Sequence, residues 1–209
     1  LSQDYLRVPV SLPQEGEQSL VEVWTSDLSN EVNQFENIFY AANSDMVFGS
    51  INFQETKTDG LEKLVFRAYK EILDFLDRMQ FPFLCRCWNY FPNINQKING
   101  IERYKSFCSG RHNAFAEKYQ SMHCHLPAAS AVGSKSGPFT INFIAFRNSK
   151  GEHIENPRQV SAYQYPVEHG ERSPSFARAT YMNLRESKYL YVAGTASIVG
   201  YQSCHKDNL

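Results

Sequence analysis

Residues 40–49 read Tyr-Ala-Ala-Asn-Ser-Asp-Met-Val-Phe-Gly, and residues 191–200 read Tyr-Val-Ala-Gly-Thr-Ala-Ser-Ile-Val-Gly. Both copies fit the frame Tyr-x-Ala-x6-Gly, with Val47 and Phe48 in the places of Ile198 and Val199. Each copy reads as strand, turn, strand, and the pair reads as one unit used twice. Past the first copy comes the clearest helix of the chain. The same point past the second copy falls at Lys206-Asp207-Asn208-Leu209. A half-unit without its helix would leave an apolar sheet face uncovered. The expectation is a complete first half, the start of a second, and a missing C-terminal portion or companion chain.

Around the first copy the pattern is regular. Leu61, Leu64, Val65, Ala68, Ile72, Phe75, Leu76 and Met79 recur at helical spacing, with Asp59 and Glu62 as a capping pair and Phe81-Pro82 as the stop. Leu84–Tyr90 reads as a strand, 93–100 as a loop, 102–119 as a second helix, and Ala128–Val132 and Phe139–Phe146 as strands. Earlier, Tyr5–Val10 and Val21–Thr25 are short β-type runs. The order predicts an α+β fold with helices on one face of a sheet. Residues 1–20 form a Pro- and Gln-rich lead-in, 21–146 the first half, and 147–209 a connector plus the start of the second.

Composition narrows the function classes. With 42% hydrophobic residues a core can be buried, and a net charge of -1 offers no field for nucleic acid. No apolar run approaches the ~20 residues of a membrane helix. Cys85, Cys87, Cys108, Cys124 and Cys204 are an odd set without framework spacing, which predicts reduced thiols and a cytoplasmic setting. Cys85-Arg86-Cys87 and His123-Cys124-His125 lack the usual zinc spacing, so no metal is expected.

Candidate site residues are basic and phenolic. The second helix carries an apolar stripe of Tyr104, Phe107, Cys108 and Phe115, and Arg111 falls on that face. An inward arginine needs an acid or an anionic ligand, unless its head escapes to water. Ser161, Tyr163 and Tyr165 alternate as on one strand face, and so do Phe176, Arg178 and Thr180. Gly194-Thr195-Ala196-Ser197 would make a close-fitting wall. Glu155, Glu168, Glu171 and Asp45 lack partners at catalytic spacing and read as solvated surface, and no general acid is visible.

Ordered blocks then carry a resemblance. They are Trp88-Asn89-Tyr90-x-Pro92-x-Ile94-Asn95, Glu102-Arg103-Tyr104-x2-Phe107-Cys108-x-Gly110-Arg111 and Pro127-Ala128-Ala129-Ser130. Further on come 155–166, Arg172-Ser173-Pro174-Ser175-Phe176-x-Arg178-Ala179 and Gly194-Thr195-Ala196-Ser197. Together they resemble the chorismatases. The resemblance implies two tandem halves of the Rid/YjgF (chorismate-mutase-like) type. It also implies removal of the enolpyruvyl group of chorismate as pyruvate, leaving a dihydroxycyclohexadiene carboxylate or a hydroxybenzoate, without cofactor. It gives carboxylate binding to Arg111 and Arg178, with Arg103 a further candidate, and a substrate hydrogen bond to Tyr165 with Tyr163 behind it. Ala196 falls beside the ring, where alanine leans toward hydrolysis and glycine toward aromatisation. The family's general-acid glutamate would lie beyond Leu209, so these 209 residues alone are expected to be inactive. The rivals are a Rid-like imine or enamine deaminase and a non-catalytic domain binding small carboxylates; self-association into a homo-oligomer stays open. Imine hydrolases of this type carry arginine where Ala129 stands, which disfavours the first rival.

Overall fold

The computed structural model describes residues 5–12, 20–56, 59–166, 170–185 and 187–204. Glu168, much of the lead-in and Lys206–Leu209 lie outside the described residues. In chain order the elements are β1 (Glu31–Phe35), β2 (Ile38–Ala42), β3 (Met46–Phe53), α1 (Leu61–Arg78), β4 (Phe83–Pro92), β5 (Lys97–Ile98), β6 (Ile101–Glu102) and α2 (Arg103–Lys118). Then follow β7 (Ala128–Ser134), β8 (Phe139–Phe146), β9 (Glu152–Ile154), β10 (Ala179–Leu184), β11 (Ser187–Val192), β12 (Ile198–Val199) and β13 (Gln202–Ser203). This is a mixed α+β architecture. A six-stranded sheet runs β1-β2-β3-β8-β4-β7, antiparallel except for the parallel β4–β7 pair.

β8 lies at the centre, with every residue buried. Its alternation explains the layers. Phe139, Ile141, Phe143 and Ala145 join Leu64, Val65, Ala68, Ile72 and Phe75 of α1 and Phe107 and Phe115 of α2 in the main core. Ile144 and Phe146 face the other way, against Met182 and Leu184 of β10 and Tyr191 of β11. Burying each such large side chain contributes about 1.5–3 kcal/mol. A three-stranded sheet, β11-β10-β9, therefore covers part of the face the helices leave free.

α1 follows its predicted stripe, but its start differs. Gly60 is the N-cap and no side chain caps the helix; Asp59 instead reaches Arg67 at 3.8 Å. At the far end Gln80 takes φ 59°, and Phe81 N donates to Leu76 O at 2.8 Å, the left-handed stop common at helix ends. α2 is drawn close to α1 through Gly110, where a Cβ would stand 2.3 Å from the Glu62 carbonyl oxygen.

Other expectations are corrected. The runs 5–10 and 21–25 join no ladder. Trp24 instead packs on Phe48, Trp88 and Tyr191, with ring centroids 5.8–6.4 Å apart. β1 had no sequence signal, because an edge strand reading Glu-Val-Asn-Gln-Phe lacks a hydrophobic alternation. The loop 93–100 contributes β5 to a small hairpin with β6. The repeat is realised in part. Tyr40 pairs with Gly49 across β2 and β3, whereas Tyr191 pairs with Thr180 of β10 and Gly200 forms a bridge to Gln159. What the two regions share is the preceding hairpin. Phe35↔Ile38 and Leu184↔Ser187 each close a two-residue loop whose first residue, Glu36 or Arg185, has φ near +50°.

Cys85, Cys87 and Cys108 are buried, and burial pushes the Cys85 and Cys108 thiols up to about 12. Native protein should therefore react with a disulfide reagent at exposed Cys124 and half-exposed Cys204, the other three reacting only on unfolding. A third fast equivalent would contradict this packing. Among the described residues no helix is long and apolar enough to cross a membrane, and no group of three or more His, Cys, Asp or Glu could hold a metal ion.

Candidate functional site

The parallel pairing of β7 on β4 leaves the other edge of β7 open, touched by the later chain at the Ala128↔Ala177 bridge. Beyond that bridge β7 reads Ala-Ser-Ala, too small to fill the space beside it. A cavity of about 490 Å³ opens there. That is within the range for small-molecule sites, roughly 300–1,000 Å³. α2 supplies Tyr104, Phe107, Cys108 and Arg111; the segment before β10 supplies Ser175, Phe176 and Arg178; Tyr165 and the 194–196 loop close it.

Arg111 is 2% exposed, and its Nε and Nη2 are buried without a hydrogen-bond partner among the described residues. Its guanidinium lies over the rings of Tyr69 at 4.9 Å and Phe115 at 5.5 Å. Those contacts fix its orientation and offset part of its burial cost, but rings accept no directed hydrogen bond in the guanidinium plane. Tyr69 is itself anchored, donating to Asn89 Oδ1 at 2.6 Å, and Asn89 Nδ2 donates to Ser130 O at 2.8 Å. Arg178 is 6% exposed; its Nη2 donates to Val160 O at 3.0 Å and to the Tyr165 hydroxyl at 2.7 Å, while Nε is buried without a partner. Two guanidinium groups thus reach one cavity with N–H groups to spare. A carboxylate or phosphate oxygen is what such groups seat best.

The remaining sequence candidates divide. Tyr165 and Ala196 line the cavity. Tyr163 does not, because Ala162–Gln164 form a 3-10 turn that breaks the expected alternation and sends its ring against His123, 6.0 Å away. Arg103 is also apart. It forms a bidentate pair with Glu55 at 2.9 and 2.7 Å and is absent from the lining, so its charge is already matched. Thr180 turns to β7, accepting from Ala128 N at 3.1 Å.

Sequence reasoning missed several contributors. Glu155, read as surface, accepts from the backbone N–H of Arg178 at 3.2 Å, and its Oε2 is buried without a partner. Lys105 and Arg172 at the lining add positive charge, against the carboxylate of Glu102. His112 is held below its ordinary pKa by burial and then by the Arg172 charge. Glu155 follows β9 directly and is brought to the site by the pairing of β9 with β10, a partner that sequence spacing does not announce. Burial holds the Cys108 thiol at about 12, which excludes a resting thiolate nucleophile in the cavity.

The fold and this cavity define an α+β protein with an arginine-lined pocket at the edge of its large sheet. A family model described as "Chorismatase FkbO/Hyg5-like, N-terminal" matches residues 22–145, and the chain belongs to that family. A 3-hydroxybenzoate synthase of Streptomyces hygroscopicus is 32% identical over 214 residues, an alignment taking in 100% of this chain and 62% of that protein. A chorismatase of the same organism is 31% identical over 202 residues, covering 95% and 57%. A crystal structure of a chorismatase superposes with a TM-score of 0.76 at 31% identity, covering 84% of this chain and 52% of that one. The chain thus spans about three-fifths of the length of the curated relatives it matches.

Proposed function

We propose that this chain builds the substrate-seating part of a chorismate-cleaving enzyme, on a fold of the Rid/YjgF type in which residues 147–209 are a connector and the start of a second half. The observation that carries the reading is the convergence of Arg111 and Arg178 on one cavity with buried N–H groups unmatched. Chorismate is a dianion, and two fixed guanidinium groups seat two carboxylates and hold the enol ether in one orientation. Protonation of the enol-ether methylene gives an oxocarbenium ion. Water captures it as a hemiketal whose C–O bond to the ring then breaks to free pyruvate. Alternatively, a ring hydroxyl captures it as a cyclic ketal whose collapse carries that oxygen away in pyruvate while the ring loses a proton and becomes aromatic. The other product is a dihydroxycyclohexadiene carboxylate or a hydroxybenzoate. Nearby guanidinium charge opposes the cation, so the acid must be a carboxyl kept protonated in a dry pocket. Among the described residues the carboxyl at the lining is that of Glu102, which is not the acid assigned here; the family resemblance gives that role to a glutamate outside these 209 residues.

Ala129 lines the cavity where imine hydrolases of this type carry arginine, which weighs against a deaminase. Reduced thiols suit a cytoplasmic enzyme. The test is pyruvate release from chorismate by the complete protein, followed with a coupled dehydrogenase, while product absorbance separates hydrolysis from aromatisation. No pyruvate above the uncatalysed rate would overturn the reading. Tyr165→Phe should lower kcat/KM by about 1–3 kcal/mol, because it removes a phenol and strips Arg178 of an acceptor. Its thermal midpoint should fall by only about a few degrees, because Arg178 keeps Val160 O as an acceptor. A collapsed transition would make Tyr165 a structural residue.

A further inference from the structure

We propose that Ser130 contacts the ligand in this cavity, and that its hydroxyl can act there only as a hydrogen-bond donor. Ser130 lines the cavity from β7. Its Oγ accepts from Arg86 Nη2 at 2.6 Å and from the backbone N–H of Gly194 at 2.9 Å. A serine hydroxyl has two lone pairs and one proton, and neither a guanidinium nor an amide N–H can accept. Both lone pairs are therefore occupied. Among the described residues no acceptor takes the proton, and the cavity is the space left for it. Arg86 cannot lose its charge at any working pH, and it is buried with its guanidinium 4.9 Å from the Trp88 ring, so the polarity does not switch.

The same two bonds explain Gly194. A Cβ there would stand 2.8 Å from Ser130 Oγ, so only glycine lets the amide approach. Ser130 thus ties the loop carrying Ala196 to the edge of the large sheet while offering its proton inward. A ligand oxygen rich in lone pairs, such as a carboxylate or ether oxygen, suits that position; an N–H or a donating hydroxyl does not. This assignment rests on reading the cavity as a carboxylate site, and it names a third polar contact there.

The experiment compares wild type, Ser130→Ala and Ser130→Thr in the complete protein. Binding of isophthalate, an unreactive ring dianion, is measured by calorimetry, chorismate turnover by pyruvate release, and Gly194 amide exchange by NMR. Ser130→Ala should weaken isophthalate and raise KM about tenfold, the scale of one hydrogen bond to a charged acceptor, with kcat changed far less. Ser130→Thr, which keeps the oxygen, should recover most of that loss. Unchanged binding in Ser130→Ala, even with faster Gly194 exchange, would make Ser130 a structural pin and overturn the proposal. Equal losses in both variants would overturn it too. Wild type that binds isophthalate but leaves chorismate intact, with the Ser130→Ala loss present, would sink the substrate reading and keep this one. Wild type that binds neither would sink both.

Discussion

Arg111→Met in the complete protein should lose catalysis and gain stability. The guanidinium is 2% exposed with two nitrogens unmatched, so without ligand it is an uncompensated buried charge. Replacing such a charge by a hydrophobe of similar length is stabilising by about 1–4 kcal/mol, less the loss of its contacts with Tyr69 and Phe115. Seating a carboxylate, by contrast, needs those N–H groups. Losing one partner of a buried charge pair costs about 2–5 kcal/mol, or ~30- to ~5,000-fold in kcat/KM. The informative result is the opposition of sign. A fall in both thermal midpoint and activity would mean that Arg111 holds the fold together, and the anion reading would fail. Arg111→Lys should recover only part of the activity, since an ammonium keeps the charge and loses the planar fork.

Gly110→Ala should destabilise the protein even though it adds a good helix former to α2. On helix propensity alone it would stabilise α2 by about 1 kcal/mol. Against that, the new Cβ would meet the Glu62 carbonyl oxygen at 2.3 Å and Val65 Cβ at 2.9 Å. The oxygen belongs to the α1 backbone and cannot rotate away, so the helices must part along their whole contact. Overpacking of this kind costs about 1–3 kcal/mol and occasionally more, which exceeds the propensity gain. Urea unfolding should show a net loss of up to about 2 kcal/mol. Because Arg111 is the next residue, activity should fall further than stability predicts. A more stable variant would refute the close helix crossing.

The contrast between what the chain spelled out and what it hid has a physical pattern. The α1 stripe and the inward position of Arg111 were legible because helical periodicity is local, and both helices obey it. Arg178 was legible as a lone charge among small residues. Tyr163 misled because alternation was read through a segment that turns at Ala162–Gln164. Arg103 misled because its acid, Glu55, lies far away in sequence. The second Tyr-x-Ala-x6-Gly copy is present as residues, but its strand pairs backward with β10. Pairing partners are a tertiary matter, and a motif's spacing does not contain them.

The cavity's walls come from the loop before α2, from α2, from β7, from Tyr165 and the segment before β10, and from the 194–203 stretch, pieces spread between residues 94 and 203. Contacts of such separation are slow to form, because loop-closure entropy must be spent before they reward the chain. The helix-backed sheet closes separations as long, β3 on β8 among them, but repays them with a continuous buried core, which the exposed 194–197 loop lacks. The binding surface is then the last part to assemble and the first to open, so a ligand acts as the clasp. Hydrogen exchange should find the 172–178 and 194–203 backbone closing up when a dianion is added, with the β8 amides unaffected.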